Sequence, residues 1–149
     1  MKHYSVVQTI VAFSLLALLP LNAADPKIDV FKTATCGCCA KWVEHLKANG
    51  FEVKVHEVPS TAEYRQKYGV PDKLQSCHTA VVNGYAIEGH VPAREIHRLL
   101  KTAPPHAKGL AVPGMPAGSP GMEGARSDAY AVVLFDEKGG TSVYQKYPQ

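Results

Sequence analysis

Residues 28–55 read IDVFKTATCGCCAKWVEHLKANGFEVKV, and this stretch decides the fold. Residues 28–31 are β-rich and alternate in polarity, which predicts a short strand. Apolar side chains then recur at helical spacing through residues 38–49, and Gly50 is well placed to end that helix. Apolar and polar residues alternate over residues 51–56, which predicts a second strand. The stretch therefore predicts a strand–helix–strand crossover.

The residues that follow extend this unit. Ser60 is expected to open a short helix that Gly69 closes. Residues 79–88 contain an Asn-Gly pair between two apolar runs, which is the pattern of a hairpin with a type I′ turn. Pro92 then begins a further helix. The order β-α-β-α-β-β-α predicts an α/β domain in which a mixed sheet is flanked by helices on both faces.

Residues 103–128 differ in composition from the rest of the chain. Five of the eleven prolines and five of the twelve glycines lie here, which predicts a long irregular loop rather than a helix or strand. Residues 129–135 and 141–147 then read as the two strands of a C-terminal β-hairpin. We therefore predict a single domain over residues 25–149, with a Pro/Gly-rich loop at 103–128.

The overall charge argues against one large class of function. The chain has 149 residues, with 16 basic and 13 acidic side chains and a formal net charge of +3. The basic residues do not form the stripe, interleaved with aromatic side chains, that nucleic-acid binding favours. Nucleic acid is therefore not an expected partner.

The sequence also shows no Ser-His-Asp arrangement and no Gly-rich phosphate loop.

The first 24 residues have the organisation of a secretory signal peptide. Lys2 and His3 precede a largely apolar stretch over residues 6–19, and small residues follow up to Ala24. The apolar stretch has about 14 residues, whereas a membrane-spanning helix needs roughly 20. We expect cleavage after residue 23 or 24, export to the periplasm, and no membrane span in the mature chain.

Three thiols lie where the first strand leads into the first helix, in the run Cys36-Gly37-Cys38-Cys39. Backbone N–H groups and the dipole of a helix N-terminus stabilise a thiolate there. Cys36 and Cys39 form a C-x-x-C pair that can close into a redox-active disulfide, so they are the candidate catalytic residues. The third thiol, Cys38, would compete with that pairing. Three thiolates on one turn instead suit a soft metal ion such as Cu(I).

The spacing of these cysteines disfavours two structural uses. A structural zinc site usually draws on two separated C-x-x-C pairs, and the second pair is absent here. Structural disulfides are disfavoured because three of the four cysteines fall within four residues and cannot join distant parts of the chain.

Further candidate metal ligands lie outside the three-thiol turn. Cys77 and His78 precede the predicted third strand, in a loop that a sheet of this order places beside the N-terminus of the first helix. Met115 and Met122 lie in the Pro/Gly-rich loop, and their thioethers either bind Cu(I) or pack the loop onto the sheet. The predicted Cu(I) ligands are Cys36, Cys38, Cys39 and Cys77, with His78, Met115 and Met122 as additions.

Four stretches together resemble the exported CopG-type copper-resistance proteins, a thioredoxin-like family with a C-x-C-C motif. They are TCGCCAKW at 35–42, SCHTAVVNGY at 76–85, EGHVPA at 88–93 and AVPGMPAGSPGME at 111–123. The resemblance implies a thioredoxin-like fold and a periplasmic protein of copper homeostasis that binds Cu(I) at its cysteines. It also implies thiol oxidoreductase chemistry, with copper ions and other periplasmic copper-handling or redox proteins as partners.

Two functions therefore compete. In the first, the four cysteines bind Cu(I), and their oxidation to a disulfide empties the site. In the second, the protein is a periplasmic thiol–disulfide oxidoreductase acting on protein disulfides, and metal binding is incidental. The extra thiol of Cys38 favours the first. So does the loop at residues 76–79, which occupies the position where thioredoxins carry a cis-proline facing the redox pair.

Overall fold

A computed structural model of the chain describes residues 25–148, and the predicted signal peptide at 1–24 lies outside them. Within the described residues the chain forms seven strands, three α-helices and one turn of 3-10 helix at Asp72–Leu74. The strands are β1 Lys27–Lys32, β2 Glu52–Glu57, β3 Thr79–Val82, β4 Tyr85–Glu88, β5 Ala107–Ala111, β6 Tyr130–Asp136 and β7 Thr141–Tyr147. The helices are α1 Gly37–Ala48, α2 Ala62–Lys67 and α3 Ala93–Thr102.

The seven strands form one mixed sheet in the order β2-β1-β3-β4-β5-β6-β7. The pairs β1–β2 and β4–β5 are parallel, and the other four neighbouring pairs are antiparallel. The parallel pairs are those joined through α1 and α3, since parallel neighbours need a crossover connection. The predicted mixed α/β sheet and the C-terminal hairpin are confirmed.

Helices cover both faces of the sheet, as the sequence predicted. Buried side chains of α1 and α3 share one apolar cluster, which contains Trp42 and Ile96. A second cluster forms around Phe135 beneath the segment that follows α2. Leu110 and Ala111 are consecutive residues of β5 and belong to different clusters. Because successive strand residues point to opposite faces, the two clusters lie on opposite sides of the sheet.

The strand β5 was not predicted, because residues 107–111 belong to the segment expected to be an irregular loop. By composition alone, the glycines of that segment indicate interruptions of regular structure. Gly109, however, lies directly against the backbone carbonyl of Ala86 on β4, and a Cβ atom at this position would overlap that carbonyl. The glycine therefore marks the close approach of two strands and not the end of one. Residues 112–128 contain neither helix nor strand, as predicted.

The turns predicted from local sequence are observed, but α2 begins one residue later than a cap at Ser60 would place it. Asn83 and Gly84 both have positive φ angles, +47° and +83°, which is the conformation that the β3–β4 hairpin requires. The helix α2 begins at Ala62, and the hydroxyl of Ser60 accepts a hydrogen bond from the N–H of Ala62 at 3.2 Å.

Among residues 25–148, no helix has the length and apolar character needed to cross a bilayer.

Candidate metal centre

The start of α1 presents three sulfur atoms on a single turn. Cys36 is the residue that precedes the helix and has extended backbone angles, and its carbonyl accepts the N–H of Ala40 at 3.3 Å. Cys36 and Cys39 are joined by a disulfide bond. Cys38 is a free thiol, and its Sγ lies 3.6 Å from the Sγ of Cys36. The turn thus carries a closed C-x-x-C pair with a third sulfur beside it.

Cys77 approaches this turn from the loop before β3. The four sulfur atoms of Cys36, Cys38, Cys39 and Cys77 all lie within 4.8 Å of one another. The Sγ of Cys39 is also 3.9 Å from the backbone carbonyl oxygen of Cys77. The structure therefore brings together all four cysteines that the sequence proposed as ligands.

Cys77 also belongs to a second group of donors, which it forms with two histidines. Its Sγ lies 3.3 Å from Nδ1 of His78 and 3.1 Å from Nε2 of His90. These three ligand atoms lie within 4.8 Å of one another. Cys77 is thus shared between a four-sulfur group and a sulfur–imidazole group.

His90 was not among the predicted ligands. It follows β4 by two residues, whereas Cys77 precedes β3 by two residues. Because Thr79 pairs with Glu88 at the open end of the hairpin, residues just outside the two strands must meet there. The hairpin register was the signal that could have identified His90.

Burial keeps the imidazole of His78 neutral. The side chain is fully buried, and its ring packs against the ring of Trp42 at a tilt of 37°, with 4.3 Å between the ring centroids. Burial, together with the neighbouring His90, lowers the pKa of His78 to about 3. Among the described residues, none gives its Nε2 atom a hydrogen-bond partner. A neutral imidazole whose Nδ1 atom lies 3.3 Å from the Sγ of Cys77 is a donor that fits a soft metal ion.

The thiol of Cys77 is protonated in the metal-free protein. Burial and the nearby Cys38 thiol raise the pKa of Cys77 to about 12. A metal ion binds the thiolate, so binding at Cys77 must release a proton.

The carboxyl group of Glu88, buried at the end of β4, also has its pKa raised, to about 6, by burial.

The Pro/Gly-rich segment lies against the centre. The Nδ1 atom of His90 is 2.8 Å from the carbonyl oxygen of Pro120. The backbone at Gly121 packs on the first turns of α1, next to Cys38 and Trp42. Met115 is 52% exposed and Met122 is half-buried. That Met115 and Met122 bind Cu(I) therefore stays a prediction.

The comparisons with known proteins agree on one family. Residues 74–122 match the family described as "Protein of unknown function, DUF411". Two solved structures, "Copper resistance protein copG- Form 1" and "Copper resistance protein copG- Form 2", are each 48% identical to this chain with a TM-score of 0.78. Each match covers 83% of this chain and 98% of the matched chain. No curated protein matches.

Proposed function

The chain belongs to the family of the copper resistance protein CopG, and on that premise we propose that it is an exported protein that binds Cu(I). The Cys36–Cys39 disulfide must first be reduced, so that all four cysteines can act as ligands. His78 joins them, and the shared position of Cys77 adds His90. Export to the periplasm is part of the proposal and is supported by the signal-peptide pattern of residues 1–24.

One observation carries the proposal most directly. Four sulfur atoms lie within 4.8 Å of one another, and two imidazoles lie within 3.3 Å of one of these sulfurs. Thiolates are soft ligands that select Cu(I), and the imidazole is a good ligand for copper. Four thiolates around one point can also bridge more than one copper ion.

The disulfide couples copper binding to thiol redox. A dithiol reductant supplies two electrons and two protons to the Cys36–Cys39 bond and is itself oxidised to a disulfide. The two cysteines become thiols, which lose their protons when Cu(I) binds. Disulfide formation in the opposite direction withdraws two of the four sulfur ligands.

The same disulfide favours a second candidate function, that of a thiol–disulfide oxidoreductase. A substrate thiolate would attack one sulfur of the Cys36–Cys39 bond, and the other would leave as a thiolate. Cys38 separates the two candidates, since disulfide exchange needs only two cysteines. Cys38→Ser should weaken Cu(I) binding and leave the dithiol–disulfide reaction of Cys36 and Cys39 intact.

Anaerobic titration of the reduced protein with Cu(I), against a competing chelator, tests the proposed function. Removing a group that only hydrogen-bonds to a metal ligand lowers metal affinity by about 10- to 100-fold. We therefore expect replacement of Cys36, Cys38 and Cys39 together by Ser to cost more than that. The wild-type protein in its disulfide form is the matched control, because only Cys38 and Cys77 remain free in it. It should bind less copper than the reduced form. Wild-type affinity in the triple variant would contradict the proposal.

A further inference from the structure

The loop that carries Cys77 and His78 is held at both ends by one buried carboxylate. Glu88, the last residue of β4, is fully buried. Its Oε1 atom accepts the N–H of Ser76 at 2.6 Å, and its Oε2 atom accepts the hydroxyl of Thr79 at 2.7 Å. Cys77 and His78 are the two residues between these anchors.

A second side chain holds the same loop from α2. The Nη1 atom of Arg65 lies 3.8 Å from Oε1 of Glu88. It also donates to the backbone carbonyl of Ser76 at 3.4 Å and to the hydroxyl of Thr61 at 2.9 Å. Both polar backbone atoms of Ser76 are therefore held by charged side chains.

The other side of the loop is tied to the residues that lead to His90. The N–H of Gly89 donates to the carbonyl of His78 at 3.0 Å. His90 is two residues beyond Glu88, and its Nε2 atom lies 3.1 Å from the Sγ of Cys77. The carboxylate of Glu88 thus joins the loop that carries two donor residues to the strand end that leads to the third.

We propose that Glu88 is a positioning residue that holds Cys77 and His78 in register with His90. An apolar side chain would fill this site without the cost of burying a charge. A carboxylate, in contrast, can accept hydrogen bonds from residues 76 and 79 at the same time. The inference rests on the proposed function where it is tested by copper affinity, because Cu(I) is then the probe of the site.

The test compares two buried carboxylates, those of Glu88 and Glu95. Glu95 is 1% exposed and accepts the hydroxyl of Tyr147 at 2.8 Å, so it joins α3 to β7 and not to the cysteine loop. The variants Glu88→Ala and Glu95→Ala are titrated with Cu(I) in competition with a chelator, after circular dichroism has shown that each is folded.

We expect Glu88→Ala to weaken Cu(I) binding by about 10- to 100-fold, the range seen when groups that orient metal ligands are removed. Glu95→Ala should leave the affinity within about threefold of wild type while lowering stability. Glu88→Gln should restore most of the affinity, because its amide oxygen can accept from Ser76 and its NH₂ group can donate to Thr79.

If Glu88→Ala does not fold, Thr79→Val replaces it in the test. This variant removes the hydrogen bond between Thr79 and Glu88, and Val has nearly the same shape as Thr.

A double-mutant cycle separates positioning from general destabilisation. If Glu88 acts through Cys77 and His78, then Glu88→Ala should have a smaller effect on copper affinity in a Cys77→Ser background than in wild type. Additive losses in the two variants would overturn the inference. So would equal losses in Glu88→Ala and Glu95→Ala.

A metal-free measurement makes the inference independent of copper. In the disulfide form the free thiols are Cys38 and Cys77, and their alkylation rates can be compared in one sample. Glu88→Ala should raise the rate at Cys77 relative to Cys38, because the loop is no longer held. An unchanged ratio would overturn the inference. If wild-type protein binds no Cu(I), the proposed function fails, and this ratio still decides the role of Glu88.

Discussion

At the scale of single residues, Gly121 fixes how the Pro/Gly-rich segment lies on α1. Its φ angle is +87°, and an added Cβ would lie 2.8 Å from the carbonyl oxygen of Cys38 and 2.9 Å from the backbone N of Trp42. Both neighbours are helix backbone and cannot move aside. We expect Gly121→Ala to lower the free energy of unfolding of the reduced, metal-free protein by about 1–3 kcal/mol.

Gly124 provides the matched control for this substitution. It lies three residues further along the same segment, and an added Cβ there would meet nothing within 4 Å. Gly124→Ala should therefore change the urea-unfolding midpoint little, or raise it slightly. Equal midpoints for the two variants would show that the segment does not depend on its contact with α1.

The residue scale also shows what the sequence could indicate about the site. Three sulfurs in four residues identify the turn by spacing alone, and the order of elements placed Cys77 beside it. His90 has no such local signal, since its charge and its neighbours do not distinguish it from other histidines. It is brought to Cys77 by the register of the β3–β4 hairpin, which is visible only when the two strands are paired and not in the residues next to His90.

At the scale of elements, His45 on α1 caps the start of α3. Its Nε2 atom accepts the N–H of Ala93 at 3.1 Å, an N–H that has no partner within its own helix. Burial lowers the pKa of His45, and the charge of Glu123 offsets this in part. Replacing it by Ala should cost about 1 kcal/mol of stability at pH 8, the usual value of a helix cap.

The pH dependence of this cost follows from the sign of the shift. The folded pKa of His45 lies below the unfolded value, so the unfolded chain takes up the proton first as the pH falls. The stabilisation is present above about pH 6.5 and is lost below it. Urea unfolding at pH 8 and pH 5 should show the gap between wild type and His45→Ala closing. A gap that stays constant would contradict the cap, and His106→Asn on the exposed surface is the control.

The elements themselves were predictable where the signal was local. The Asn83-Gly84 turn and the helix that ends before Gly50 depend on backbone angles that few residues adopt. The strand β5 was missed because its Gly109 serves a contact with β4 that no local pattern reveals. Composition therefore predicted the irregular segment at 103–128 correctly except at residues 107–111, which form β5.

At the scale of the whole molecule, three separate parts of the chain converge on Cys77. The first turn of α1 supplies three sulfurs, the ends of the β3–β4 hairpin supply Cys77, His78 and His90, and the Pro/Gly-rich segment contacts His90 through Pro120. Cys77 is the one ligand that both donor groups share among the described residues. A single substitution there tests whether the two groups act as one centre.

The most direct test is the copper content of Cys77→Ser after anaerobic loading with Cu(I) and challenge with a chelator. We expect fewer copper ions per chain than in wild type and faster loss of those that bind. The stability of the metal-free protein should stay within about 1 kcal/mol of wild type, because Ser is close to Cys in size. Unchanged copper content, combined with a clear loss of stability, would show instead that Cys77 is a packing residue, and would contradict a metal centre closed from two sides.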